Sequence, residues 1–88
     1  MEMELSVKRL VKFDGEGSLK AYCDLAIGEQ FLVKGLRVVQ GKNGLFVSMP
    51  REQGKDQKWY DSVVLLTDKA KTDVTHVVLD AYQQPSGR

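Results

Sequence analysis

The 88-residue chain has one cysteine, one histidine, one tryptophan and two prolines. A lone Cys23 cannot close an internal disulfide and fits a reducing compartment. The longest apolar run is Val63–Leu66, far short of the roughly 20 residues a membrane helix needs. No basic-then-apolar leader opens the chain, so export is not expected and the cytoplasm is. Internal repeats and low-complexity segments are missing. So are a carboxylate pair, a nucleophile triad and a metal-spaced cluster, so neither catalysis nor a metal nor a cofactor is expected. Net charge is scarce too, at +1, which excludes a uniformly basic or acidic protein.

What remains is an ordinary globular mix, 42% hydrophobic and 28% charged. The length suits one domain, placed at residues 1–84, with 85–88 as a tail. Such a domain buries roughly 60–65% of its unfolded surface, so self-association would help it. The charge is uneven. Residues 34–58 hold Lys34, Arg37, Lys42, Arg51, Lys55 and Lys58 against Glu52 and Asp56, a local +4. A polyanion would meet this middle section first.

Hydrophobic spacing predicts an antiparallel meander followed by a helix. Glu4–Phe13 reads as a strand, with Leu5, Val7, Val11 and Phe13 on one parity. Arg9 and Leu10 break the alternation, which asks for a bulge or a two-sided strand. Asp14–Gly17 is a turn. Ser18–Ile27 alternates cleanly, with Leu19, Ala21, Cys23, Leu25 and Ile27 on one side and Ser18, Lys20, Tyr22 and Asp24 on the other. Gly28–Gln30 turns the chain again. Phe31–Gln40 is apolar on both parities, as in a central strand or one covered by a partner chain. Asn43-Gly44 then marks a tight hairpin turn with positive φ at both residues. Leu45–Met49 follows, and Pro50 ends it because proline cannot donate to the ladder.

Arg51–Lys58 has no apolar residue and reads as a polar loop. Trp59–Leu66 is a fifth strand or an irregular return. Asp68–Tyr82 reads as a helix, because Ala70, Val74, Val77, Val78 and Ala81 form one stripe. Thr67 suits its N-cap. The fold class is therefore α+β: four to five antiparallel strands with one C-terminal helix packed on one face.

Few residues invite chemistry. His76 with Asp80 one turn on reads as a surface pair, since no nucleophile or second ligand accompanies it. Cys23 lies on the apolar parity and reads as a small buried hydrophobe. Gly41–Gly44 lacks the length and ending of a phosphate loop and precedes a strand. Trp59 and Tyr60 follow the cations and could stack bases, although burial of Trp59 as an anchor is favoured.

The block from Phe31 to Pro50, ending Gly41-Lys42-Asn43-Gly44-Leu45-Phe46-Val47-Ser48-Met49-Pro50, resembles the SpoVG family of bacterial septation and sporulation regulators. Val7–Val11, the Leu- and Ala-bearing second strand, Trp59 with Asp61, and the late Tyr82 extend the likeness over about residues 4–82. The resemblance implies a small bacterial cytoplasmic protein, homodimeric through its sheet. It also implies a role in septum formation and gene regulation, with DNA and RNA binding. The chain departs from the family pattern at three places. Arg51-Glu52-Gln53 stands where a Lys-Arg pair follows Met-Pro, Lys71-Thr72-Asp73 replaces a basic cluster at the helix start, and Val64-Leu65 replaces a His-Pro. Weak, mainly electrostatic nucleic-acid binding is expected through Lys42, Arg51, Lys55 and Lys58, with Lys69 and Lys71 contributing. The alternative is a protein-interaction adaptor in septum assembly that binds no nucleic acid.

Overall fold

A computed structural model describes residues 4–13 and 15–84. Most of the expected Asp14–Gly17 turn is included, but Asp14 and the 85–88 tail lie outside the described residues. Four strands, β1 (Leu5–Lys12), β2 (Leu19–Ile27), β3 (Phe31–Gly41) and β4 (Gly44–Ser48), form one antiparallel sheet in chain order. A separate two-stranded ribbon follows, β5 (Arg51–Gln53) and β6 (Trp59–Asp61). The helix α1 (Asp68–Gln83) covers one face of the larger sheet. The fold is the expected α+β meander with one C-terminal helix.

The core is a single layer between sheet and helix. Ala21, Cys23 and Leu25 of β2 and Leu36 and Val38 of β3 meet Val74 and Val78 of α1, all essentially without solvent contact. Val74 and Val78 are weak helix formers, so α1 depends on this packing. Thr67 caps it as expected, its Oγ1 accepting the Ala70 N–H at 3.0 Å. No basic residue lies in its last turn. Lys12 of β1 supplies one, donating to the Gln84 carbonyl at 3.1 Å and lying over the Tyr82 ring.

Period-two alternation is interrupted three times, by an extra residue at Lys8, Lys20 and Gly35. The first is the break foreseen at Arg9-Leu10. It keeps both halves of β1 useful: Leu5 and Val7, then Leu10, all pack on the core, while Val11 pairs with exposed Tyr22 on the other face. The Lys20 bulge moves Leu19 off the parity of Ala21 and sets it beside Val39. Gly35 does for β3 what Lys8 does for β1. Val33 and then Leu36 and Val38 all face the helix. Much of the two-sided apolarity of β3 is thus one face seen through a one-residue shift.

Gly35 has φ +91, and its N–H donates to the Asp24 carboxylate at 3.3 Å. Asp24, expected on a wet face, is only 9% exposed. At the β2–β3 turn, Gly28 and Glu29 both have positive φ, and the Gln30 N–H returns to the Ile27 carbonyl at 3.1 Å, the backbone signature of a primed turn. The strained Glu29 is held by Lys8 at 2.8 Å and Ser6 at 2.7 Å. These bonds, that of Lys8 foremost, keep its carboxyl below the usual range. The β3–β4 turn corrects an expectation. Lys42 and Asn43 occupy its centre between the paired Gly41 and Gly44, and positive φ falls on Gly44, at +122, and not on Asn43. The glycine after the turn absorbs the twist that the asparagine was expected to share.

The Gly35 geometry sets a stability prediction. A Cβ there meets nothing within 4 Å, so Gly35→Ala tests backbone strain alone. It should destabilise the fold by about 1–3 kcal/mol in chemical denaturation. Gly17→Ala, also in open space but without positive φ, should stay within about 0.5 kcal/mol. Equal midpoints for the two variants would refute the bulge.

Candidate nucleic-acid interface

The segment expected to be a loop is an ordered ribbon. Arg51, Glu52 and Gln53 pair with Asp61, Tyr60 and Trp59. An isolated two-stranded hairpin is marginal in water, and 51–58 offers no apolar residue to support it. Polar side chains do so instead. At the base, Arg51 Nε meets Asp61 Oδ1 at 3.0 Å, and the Ser62 N–H donates to the Pro50 carbonyl at 2.9 Å. At the tip, Gln53 Nε2 donates to the backbone and side-chain oxygens of Gln57, both at 3.2 Å. Asp56 closes the turn by accepting the Lys58 N–H at 3.1 Å and the Tyr60 hydroxyl. The Tyr60 bond, then the Lys58 N–H, lower the Asp56 carboxyl, and the same Asp56 raises the Tyr60 phenol.

This arrangement overturns the burial expected of Trp59. Its side chain is 58% exposed on the ribbon, because two short strands without a core give an indole nothing to anchor to. Tyr60 is half exposed beside it. Trp59 therefore shares an exposed ribbon with Lys55 and Lys58.

The six expected contact residues fall into three groups. Lys42 lies exposed at the β3–β4 turn, and Lys55 and Lys58 lie exposed in the ribbon turn. None of these three forms an ion pair among the described residues. Arg51 and Lys69 are committed within the fold, Arg51 to Asp61 and Lys69 to Asp73 at 2.8 Å one helical turn away. Lys71 lies apart from the ribbon tip, with Arg51 on an open hollow of about 480 Å³ between β4, α1 and the strand-free return through Val63–Leu65. A second hollow lies on the sheet face away from α1. Lys34 and Arg37 line it beside Tyr22. Sequence reasoning did not include these two cations among the contacts. Their shared face becomes legible only once Gly35 is counted as an extra residue.

The other singled-out side chains are quiet. Cys23 is buried, and burial, followed by the charge of Asp24, pushes its thiol up to about 11, so it is no nucleophile at neutral pH. His76 is exposed on the outer side of α1, near Asp80 in a shallow depression. Among the described residues, no group of three or more His, Cys, Asp or Glu could hold a metal ion. No helix there is long and apolar enough to cross a membrane.

Fold and surface together define a small α+β protein: a helix-backed meander that carries an exposed, polar-stapled ribbon with Lys55 and Lys58 on its turn. The chain belongs to the SpoVG family, whose description matches residues 3–84. It is 40% identical to a protein of the archaeon Archaeoglobus fulgidus named "Putative septation protein SpoVG", over 92% of this chain and 95% of that one. It is 30% identical to a SpoVG 2 protein of Listeria monocytogenes, over 93% of this chain and 80% of that one. With a SpoVG protein of Acetivibrio thermocellus it shares 28% identity, over 92% and 86%. Membership makes this a septation-related protein by family. An archaeal relative means that it does not tie the chain to bacteria.

The Asp56–Tyr60 bond carries a pH prediction. The folded Tyr60 phenol ionises above its ordinary value of 10 because it donates to the Asp56 carboxylate. A folded-state pKa above the unfolded one contributes stability that is complete below about pH 10 and is lost as pH rises through the Tyr60 pKa. Phenolate absorbance should show Tyr60, assigned by Tyr60→Phe, titrating lower in Asp56→Asn than in the parent. An unchanged titration would show that the bond does not form in solution.

Proposed function

We propose that this protein is a cytoplasmic regulator in septation that binds nucleic acid as a homodimer. The observation that carries the reading is the β5–β6 ribbon, with exposed Lys55, Lys58 and Trp59 standing clear of the core. A two-stranded ribbon is a shape that a major groove admits. Phosphates would meet Lys55 and Lys58, with Lys42 at the β3–β4 turn. Contacts of this type position a nucleic acid without reading its sequence. Arg51 acts here chiefly as the pin at the ribbon base. Lys69 and Lys71 add little, since Asp68 and Asp73 offset them on the first two turns of α1.

Binding is expected to be weak and steeply salt-dependent. Lys42, Lys55 and Lys58 from two chains would neutralise roughly 4–6 phosphates, giving a log–log salt slope near −4 to −5 on duplex DNA. Changing Lys55 and Lys58 to Glu should weaken binding alike across sequences and flatten that slope. If this double variant binds as the parent does, the ribbon is not the interface. A parent that binds neither duplex nor single strand at low salt would leave the protein-interaction adaptor as the better reading.

The bulge at Gly35 returns Val33, Leu36 and Val38 to one side, while Phe31 and Leu32 stay exposed. A second feature adds to that exposure. β4 ends the sheet order with its outer edge unpaired among the described residues, and the return beside it exposes Val64 and, at 90%, Leu66. Pairing such an edge across a two-fold axis covers both. Light scattering at micromolar concentration should give a dimer mass, and Leu66→Glu should shift it toward the monomer. A monomeric parent would remove the homodimer from the proposal.

A further inference from the structure

The register builds a second basic surface on the sheet face that α1 leaves uncovered. With Lys8 and Gly35 as extra residues on either side of β2, Arg9, Asp24 and Lys34 form one cross-strand row. Val11, Tyr22, Arg37 and Ser48 form the next row on the same face. Asp24 is buried beneath its neighbours and bonded to the Gly35 N–H. Arg9, Lys34 and Arg37 are exposed, and none forms an ion pair among the described residues. The outward charge of the two rows is therefore positive.

Apolar and π surface lies among these cations. The Arg37 guanidinium sits 6.0 Å from the centroid of the Tyr22 ring, which is 38% exposed. Phe13 meets the same ring edge-on with centroids 5.3 Å apart. Beside this stack lies the second hollow, of about 460 Å³, to which Tyr22, Leu32, Lys34 and Arg37 contribute, with Arg51 and Glu52 from the ribbon base. Its size falls in the ~300–1,000 Å³ range of small-molecule sites.

We propose that this hollow is a base-and-phosphate subsite for single-stranded nucleic acid, an inference that rests on the nucleic-acid reading above and deepens it. A base lies against the Arg37–Tyr22 stack and Leu32, while Lys34 and Arg9 hold the adjoining phosphates. Guanidinium planes and aromatic rings stack on any base, because every base has a π face. The strand must be single for a steric reason. Base faces are buried in a duplex, and a four-stranded sheet is too broad for a groove that admits one helix or a two-stranded ribbon. The two surfaces thus divide by shape, the ribbon suiting duplex backbone and the sheet suiting unstacked bases.

The test is fluorescence anisotropy with a labelled oligo(dT) of about ten nucleotides, within the usual site sizes, and with a labelled duplex. Lys34→Gln/Arg37→Gln changes two exposed side chains. It should weaken oligo(dT) binding by at least about tenfold and duplex binding by less than about threefold. Tyr22→Leu should weaken oligo(dT) binding several-fold with its salt slope unchanged, because lost stacking releases no counterions. Thermal melts followed by circular dichroism confirm that each variant folds. Unchanged oligo(dT) binding in the double variant, with loss only in Lys55→Glu/Lys58→Glu, would overturn the sheet subsite and leave the ribbon reading intact. A parent that binds neither probe would overturn both. A drop in the parent's light-scattering mass caused by Lys34→Gln/Arg37→Gln would assign this face to a second copy of the chain and overturn the subsite.

Discussion

The bond between the Gly35 N–H and the Asp24 carboxylate sits where two halves of the sheet, of opposite parity, are joined. On β3, Val33 points to the helix from an odd position, and Leu36 and Val38 point to it from even ones. A strand without an extra residue would send one of these sets to solvent. Glycine makes the shift possible because φ +91 is open to it at little cost. Asp24 gives the displaced N–H an acceptor in a place where an unpaired donor would be costly. The same shift sets Tyr22 opposite Arg37 on the far face, and the extra residue at Lys8 brings Arg9 into line with Lys34. Core and outer surface of β3 thus depend on one inserted residue, and those of β1 on another.

Where period two runs undisturbed, the elements could be read directly from the residues. The Ala21, Cys23 and Leu25 series of β2 and the Val74–Val78 stripe of α1 meet in the core as expected, and Thr67 caps the helix. The break at Arg9-Leu10 also announced its bulge, since charge and apolarity there were out of step. Gly35 was harder to recognise. A glycine between Lys34 and Leu36 carries no apolar signal of its own, so two short runs of opposite parity merged into one strand apolar on both sides. Such a merged run reads as a strand that needs a second cover.

The ribbon was illegible for a different reason. Strand signals in a sequence are mostly signals of burial, and Arg51–Gln53 buries nothing. Its order comes from Arg51 with Asp61, Gln53 with Gln57, and Asp56 with Tyr60, pairings between polar side chains brought together by the turn. No hydrophobic period reports them. Trp59 followed from the same error, since average burial is a statement about residues that have a core to reach. Of the six cations expected to bind, spacing could show that they cluster but could not show that Arg51 and Lys69 already have partners.

The division of charge between ribbon and sheet constrains how the protein can work. The helix, with Asp68, Asp73 and Asp80 along it, presents a mixed surface that gives a polyanion little purchase. Other cations without an ion pair among the described residues lie at the ribbon tip, at the β3–β4 turn and on the open face of the sheet. Lys55 and Lys58 stand on a turn that Asp56 braces through the Tyr60 hydroxyl and the Lys58 N–H, and neither ammonium pairs with that carboxylate. Arg37 likewise lies over Tyr22 on the sheet and forms no ion pair with Asp24, one oxygen of which accepts the Gly35 N–H. In both places a carboxylate close in sequence or register could have neutralised the cation. In both, a hydrogen bond within the fold gives that carboxylate a different partner. The ribbon turn and the open sheet face thus each present cations without an ion pair among the described residues, on a chain whose net charge is only +1.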